Sequence, residues 1–263
     1  MAGKLVNRTN VDNCCFLCSG SFSKILKQQN IMTRTYQIFL LLILYTFAAC
    51  KQKITLQDRS FDLVNVTASV VKLNGEEVLK VERDLKALPF DAKRLGATVN
   101  GPLYARLKDS DFENGTIEVK VYSRIQKNTP YPDSWGFIGL AFRINDDNSA
   151  FEAMYLRPKV GRSAYPNVRN QAVQYYSFPN YKMDNINNTA GGPFETSADI
   201  GLNEWITMRI EVQGQQATLY INDNTEPTLS IKNMKGNLKS GAIGLWVDIG
   251  TEGYFKDLKI TKK

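Results

Sequence analysis

There is no histidine among the 263 residues. Ser-His-Asp triads, Cys-His nucleophiles and histidine-ligated zinc are therefore excluded. Any catalysis falls to Asp, Glu, Lys, Arg or Tyr. The residues best spaced for such work lie between positions 130 and 180. Glu152 stands in the alternating run Phe151-Glu152-Ala153-Met154-Tyr155-Leu156-Arg157-Pro158, and Arg143 in Ile138-Gly139-Leu140-Ala141-Phe142-Arg143-Ile144 just before it. If the turn Asn145-Asp146-Asp147-Asn148-Ser149 pairs these runs so that Phe151, Ala153 and Tyr155 join the face of Phe142, Glu152 falls beside Arg143. That register is the expected one, and a slip of one residue inverts it. Gln174 and Tyr176, in Ala172-Val173-Gln174-Tyr175-Tyr176-Ser177-Phe178, would add hydrogen-bonding groups nearby. A sugar ring needs fixed polar partners and an apolar surface to lie against. Trp135, emerging from Pro130-Tyr131-Pro132-Asp133-Ser134, could supply that surface. The plain alternative is a cross-strand salt bridge on an exposed sheet.

Two further groups have two readings each. Arg157, at a strand end before Pro158, either clamps an acidic or keto sugar or pairs with a loop carboxylate, and the pairing is the default. Asp146, Asp147 and Asn148 offer calcium-type oxygen ligands, but such a cluster is more often a polar turn. No metal or other cofactor is expected, with calcium as the alternative. Glu152 has Met154 and Leu156 on its own face, so it has no carboxylate partner within its strand.

The elements that position these residues read as strands. Short alternating runs recur at Val66–Val71, Val78–Glu82, Leu103–Leu107, Gly115–Ser123, Gly136–Ile144, Ala150–Arg157, Ala172–Phe178, Trp205–Val212, Gln216–Asn222, Thr228–Ile231, Ala242–Asp248 and Gly253–Ile260. Asn74-Gly75 between the first two is a hairpin signal. No long stretch shows a helical period, and many short strands with Gly, Asn and Pro between them indicate a sandwich or barrel. Glu118, Lys120, Arg209 and Glu211 are expected on a solvated face with cross-strand charge pairs. Trp205 and Trp246, inside apolar strands, are expected in the core. The longest irregular stretch, Pro179–Asn203, is a functional or mobile loop.

The N-terminal 50 residues stand apart. Met32-Thr33-Arg34 opens an apolar run, Tyr36–Ala49, that ends at Cys50. A basic start, an apolar centre and small residues before a cleavage point make a secretory signal, and the order resembles the bacterial lipobox. The resemblance implies that Cys50 is lipidated and becomes the first mature residue. The run is too short to span a bilayer, which takes about 20 residues. Residues 1–31 are then an overextended, disordered start and 32–49 the signal peptide. Cys14, Cys15 and Cys18 make an incomplete zinc set. A tether over 50–60 and one domain over 61–263 complete the expected organisation. The first 50 residues hold five basic residues and one acidic of the chain's 33 and 26, so the remainder carries 28 and 25, a net charge of +3. So mild a surplus argues against nucleic acid as a partner. With no cysteine after Cys50, the domain depends on its core.

Four segments near the C-terminus carry a family likeness: Asn203-Glu204-Trp205-Ile206-Thr207-Met208-Arg209-Ile210-Glu211-Val212, Ala217-Thr218-Leu219-Tyr220-Ile221-Asn222, Gly241-Ala242-Ile243-Gly244-Leu245-Trp246-Val247 and Gly253-Tyr254-Phe255-Lys256-Asp257-Leu258-Lys259-Ile260. They resemble the concanavalin A-like lectin/glucanase superfamily and, within it, the secreted 3-keto-disaccharide hydrolase group. The resemblance spans Phe112–Ile260. It implies an all-β, antiparallel jelly-roll β-sandwich that engages carbohydrate. Where that group usually has a Gly-Asn-Ser-Gly-type strand, this chain reads Ser134-Trp135-Gly136-Phe137-Ile138-Gly139. The Glu-x-Asp-x-Glu strand of sandwich glucanases is absent, which disfavours a retaining glycosidase. The expectation is a carbohydrate-binding domain held at the bacterial cell envelope, with Trp135, Arg143, Glu152, Arg157, Gln174 and Tyr176 as the site. The first alternative is a hydrolase or lyase of 3-keto-glycoside type with Glu152 as acid/base, and the second a structural or adhesive envelope protein. Oligomeric state is open.

Overall fold

Strands form where Val, Ile, Tyr and Phe alternate with polar residues and turn residues interrupt them. The computed structural model describes residues 53–182 and 194–263. Cys14, Cys15, Cys18, the signal run, Cys50 and the middle of the Pro179–Asn203 stretch lie outside the described residues. Among the described residues fifteen strands make two antiparallel sheets. The eight-stranded sheet runs β1 (Lys53–Leu56), β2 (Arg59–Val64), β5 (Tyr104–Leu107), β14 (Ala242–Val247), β7 (Ile138–Ile144), β8 (Phe151–Leu156), β9 (Val173–Phe178), β10 (Glu195–Thr196). The seven-stranded sheet runs β13 (Leu229–Ile231), β12 (Gln216–Ile221), β11 (Trp205–Gln213), β6 (Gly115–Ile125), β15 (Thr251–Lys262), β4 (Glu76–Arg83), β3 (Val66–Leu73). This is the all-β jelly-roll sandwich the resemblance implied. One short helix bears on the site, α1 (Leu95–Thr98).

The two sheets treat their outer faces differently. In the seven-stranded sheet Ile117, Val119 and Val121 are fully buried against the partner sheet, while Lys120 meets Asp257 and Lys259 meets Glu118, each at 2.9 Å, on the far side. The Arg209–Glu211 pair is there too. The solvated-face expectation for these residues holds. In the eight-stranded sheet every residue of β7, β8 and β14 is buried on both faces. Ile138 and Val247 point inward, since a Cβ on Gly253 of β15 would approach both. By alternation Leu140, Phe142, Met154 and Leu156 also face inward, and Ala141, Ala153, Tyr155 and Trp246 face outward.

Two expectations need correction. The expected tether contains β1 and half of the β1–β2 hairpin, with Leu56 paired to Arg59 across Gln57-Asp58. Trp205 is not in the core. It pairs with Tyr122 across β11 and β6, on the outer face of the seven-stranded sheet, its ring 5.4 Å from that of Tyr122. The adjacent Ile206 takes the inward position instead, fully buried.

Candidate functional site

Small residues on the outer face of the eight-stranded sheet make room for large ones. Gly139 of β7 lies opposite Tyr155 and Trp246, and Gly244 opposite Ala141. A Cβ on Gly139 would stand 2.6 Å from the Tyr155 Cβ, and one on Gly244 would stand 2.8 Å from the Tyr104 ring. The space holds an aromatic cluster. Tyr155 packs 4.9 Å from Trp246, and Tyr176 lies 5.7 Å from each of them. The Trp246 indole N–H donates to the Gly101 carbonyl at 3.1 Å, which fixes the ring under the chain that follows α1.

A cavity of about 170 Å³ opens over Tyr155 and Trp246. Its walls come from Leu95 to Asn100, from Tyr131 to Phe137, and from Arg157 with Gln171. Trp135 forms part of one wall, and the Arg157 guanidinium lies 5.6 Å from its ring centroid and 5.2 Å from that of Tyr155. A cation between two rings is favourable in desolvated surroundings.

Arg157 anchors a dense polar cluster. Its Nη1 donates to Glu195 Oε1 at 2.9 Å and to the Gln171 carbonyl at 3.0 Å. Its Nη2 donates to the Tyr155 hydroxyl at 2.7 Å and to Gln174 Oε1 at 2.5 Å. The Tyr155 hydroxyl donates to Gln174 Oε1, and Gln174 Nε2 donates to Glu195 Oε1 at 2.8 Å. Burial works against the Arg157 charge, but Tyr155 and Glu195 outweigh it and hold the guanidinium cationic. Burial pushes the Tyr155 hydroxyl up, against the pull of Arg157, so it keeps its proton. The cavity's inner wall is Asp248, whose Oδ1 accepts from Arg83 at 2.7 Å and Oδ2 from the Asn100 N–H at 2.8 Å.

Four of the expected site residues therefore meet here: Trp135, Arg157, Gln174 and Tyr176. Arg157 does pair with a carboxylate of the Pro179–Asn203 stretch, Glu195, but that residue stands on the edge strand β10 and not in a loop. Glu152 and Arg143 do not join them. The register pairs Phe142 with Glu152, one residue from the expected one, so Glu152 sits on the inward face. There it is 1% exposed and accepts from the Tyr175 hydroxyl at 2.6 Å and the Gly236 N–H at 2.8 Å. Arg143 is the left-handed residue, φ 51°, of a bulge between β7 and β14. Its guanidinium donates to the carbonyls of Glu113 at 2.9 Å, Gly214 at 2.7 Å and Leu238 at 3.2 Å. This is a structural clamp away from the cavity. At the turn after β7 the oxygens of Asp147, Asp146 and Asn148 are met by Ser149, Arg106 and Tyr104. Sequence reasoning missed Tyr155, Trp246, Glu195, Asn100 and Asp248. The parity of Ala153, Tyr155 and Arg157 was the available signal, since it puts the last two on one face.

The family described as the 3-keto-alpha-glucoside-1,2-lyase-like domain matches residues 90–261. Among solved structures the chain is similar to a carbohydrate binding module from Bacillus subtilis, at 11% identity over 74% of this chain and 94% of that one, TM-score 0.42. It is also similar to a beta-glucanase from Bacillus licheniformis, at 12% identity over 81% and 92%, TM-score 0.40. A galectin from Caenorhabditis elegans is similar at 11% identity over 57% and 91%, TM-score 0.31. A comparison with curated proteins gives no match.

Proposed function

Because this chain belongs to the 3-keto-alpha-glucoside-1,2-lyase-like domain family, we propose that its cavity over Tyr155 and Trp246 is a carbohydrate-binding site. The observation that carries the proposal is the Arg157 cluster beside the Trp135 and Tyr155 rings. Apolar ring faces beside fixed donors and acceptors are what a sugar requires. Glu152 has no part in it. The domain acts on envelope or imported glycans and is held at the bacterial envelope by lipid on Cys50.

Turnover is the second reading, and the family description favours it. In cleavage of a 3-keto-glycoside between C1 and its oxygen, by a lyase, a base takes the C2 proton, for which the cavity lining offers the Asp133 carboxylate, the enolate charge is borne at the C3 oxygen until the C1–O bond breaks, and the departing oxygen takes up a proton. Arg157 is the cavity's cation for that charge, and protonated Tyr155 is a proton donor.

The experiment uses the full chain expressed in bacteria. Fractionation should find it with membranes, and Cys50→Ser should release it; unchanged partitioning rejects the anchor. Purified protein is then titrated against a panel of neutral glycans and 3-keto-glycosides. Trp135→Ala should weaken binding about 10- to 100-fold, in line with loss of ~1–3 kcal/mol of stacking and burial. Unchanged affinity in that variant, with the fold intact, rejects the site.

A further inference from the structure

We propose that the open end of the sandwich away from the cavity holds a second site, a groove that takes a phosphoryl group carried by a soluble phosphate or by a lipid headgroup. The groove encloses about 470 Å³, within the roughly 300–1,000 Å³ of small-molecule sites. It shares no lining residue with the cavity. The cavity sits over Trp246, near the end of β14, and the groove beside Ile243, near its start. The inference therefore stands apart from the carbohydrate reading.

The first ground is where two cations stand. β2 and β15 belong to different sheets. Arg59 opens β2 two residues before Phe61, a core residue, and Lys262 ends β15 two residues after Ile260, which packs against the same core. Alternation gives both cations the inward parity that a sandwich fills with apolar side chains. The lining between them is apolar, made by Leu107, Phe112, Ile243 and Ile260. Lys108, in the turn after β5, brings in a third cation.

The second ground is that these cations lack counterions. Arg59 and Lys108 are half-buried, yet among the described residues neither has an ion pair or a side-chain hydrogen bond, and Lys262 has none either. Charged groups drawn out of water are ordinarily paired, as Arg83 and Arg157 are with Asp248 and Glu195. The carboxylates of the lining, Asp58 and Asp109, do not serve. Both are exposed on turns, with left-handed φ of 60° and 52°, and neither stands within ion-pair distance of a groove cation. Three cations against two rim carboxylates favour a multiply charged anion. Two oxygens of a phosphoryl group fit the fork of a guanidinium, and a third takes the point charge of an ammonium.

The test is calorimetric titration of the purified full chain at about 0.15 M salt with inorganic phosphate, with glycerol 3-phosphate, and with dihexanoyl phosphatidic acid kept below its micelle concentration. One saturable site is expected, weakened at least about tenfold by Arg59→Gln and by Lys262→Gln, the loss of a charge-assisted hydrogen bond in each. Lys232→Gln removes an exposed cation just after β13 and should change the affinity by less than about twofold, since salt screens distant charge. An equal loss in that variant would mean a diffuse field and overturns the site. So does full affinity in both groove variants. Absence of saturable binding of all three probes to the wild-type chain overturns it as well, and that measurement decides the matter even where a variant fails to fold. Phosphatidic acid binding at least about tenfold tighter than glycerol 3-phosphate, with the same sensitivity to Arg59→Gln, assigns the groove to a lipid headgroup whose acyl chains use the apolar lining. Equal affinity for the two assigns it to a soluble phosphate.

Discussion

Glu152 and Arg157 show how one sheet assigns two charged residues opposite roles. Glu152 lies in β8 and Arg157 directly follows its last residue, five positions on from Glu152, so the parity of the chain sends one inward and the other toward the cavity. The sequence made Glu152 the obvious acid/base, since it is a carboxylate in an apolar strand. What could not be read was which face is the site, because both faces of this strand are buried. Burial raises the Glu152 carboxyl above its ordinary value, while the Tyr175 hydroxyl, the Gly236 N–H, Ser177 and the Arg143 charge pull the other way. The folded state thus holds this proton more tightly than the unfolded chain does. Its contribution to stability is fully present below the unfolded value of 4.5 and is lost as pH rises through the folded one. Glu152→Gln removes that slope. Urea denaturation at pH 4 and pH 7 should show wild type losing stability relative to the variant as pH rises, with glycan affinity unchanged. A gap that moves the other way, or a loss of binding without a loss of stability, would contradict the structural role.

At the scale of elements, the legible parts are those whose turns require special residues. Asn74 and Gly75 take φ 53° and 88° between β3 and β4, and Asn-Gly is the pair that tolerates this geometry. The β1–β2 hairpin uses the same left-handed geometry at Gln57 and Asp58, φ 49° and 60°, without a glycine. Its turn is silent in the sequence, and the segment reads as a tether. The Arg143 bulge is hidden for a related reason, because arginine gives no sign that it will adopt a positive φ. The family likeness and the alternation were enough for the sandwich, whereas the site depended on one register and one bulge. Gly139 is where the two meet. An added Cβ would press on the Tyr155 side chain and, closer still, on the backbone of β8. Gly139→Ala should therefore cost ~1–3 kcal/mol by overpacking and should displace the Tyr155 ring that floors the cavity. Thermal melts and glycan titration together check this: a variant that keeps both stability and affinity would show that β8 can move aside.

For the molecule as a whole, the cavity is also a joint between the sheets. Arg83 ends β4 in the seven-stranded sheet, and Asp248 follows β14 in the eight-stranded one. They meet at 2.7 Å with side chains 2% and 3% exposed. Arg83 also holds the carbonyls of Leu88 and Pro89, and Asp248 takes the N–H groups of Asn100 and Ile249. One buried pair thus fastens both sheets and the chain that walls the cavity. Arg83→Met leaves a buried carboxylate without its cation, a change that typically costs ~3–5 kcal/mol. Asp248 already has its proton affinity raised by burial, against the pull of Arg83. Removing Arg83 raises it further, so the destabilisation should be smaller near pH 4, where the carboxyl takes up its proton, than at pH 7. Adding Asp248→Asn to the variant should recover part of the loss, and a double-mutant cycle measures the coupling. A coupling near zero would show that the sheets are held by apolar packing alone. A large one predicts that a sugar seated against Asp248 and Trp246 raises the melting temperature of the whole domain, since it binds only when both sheets are in place.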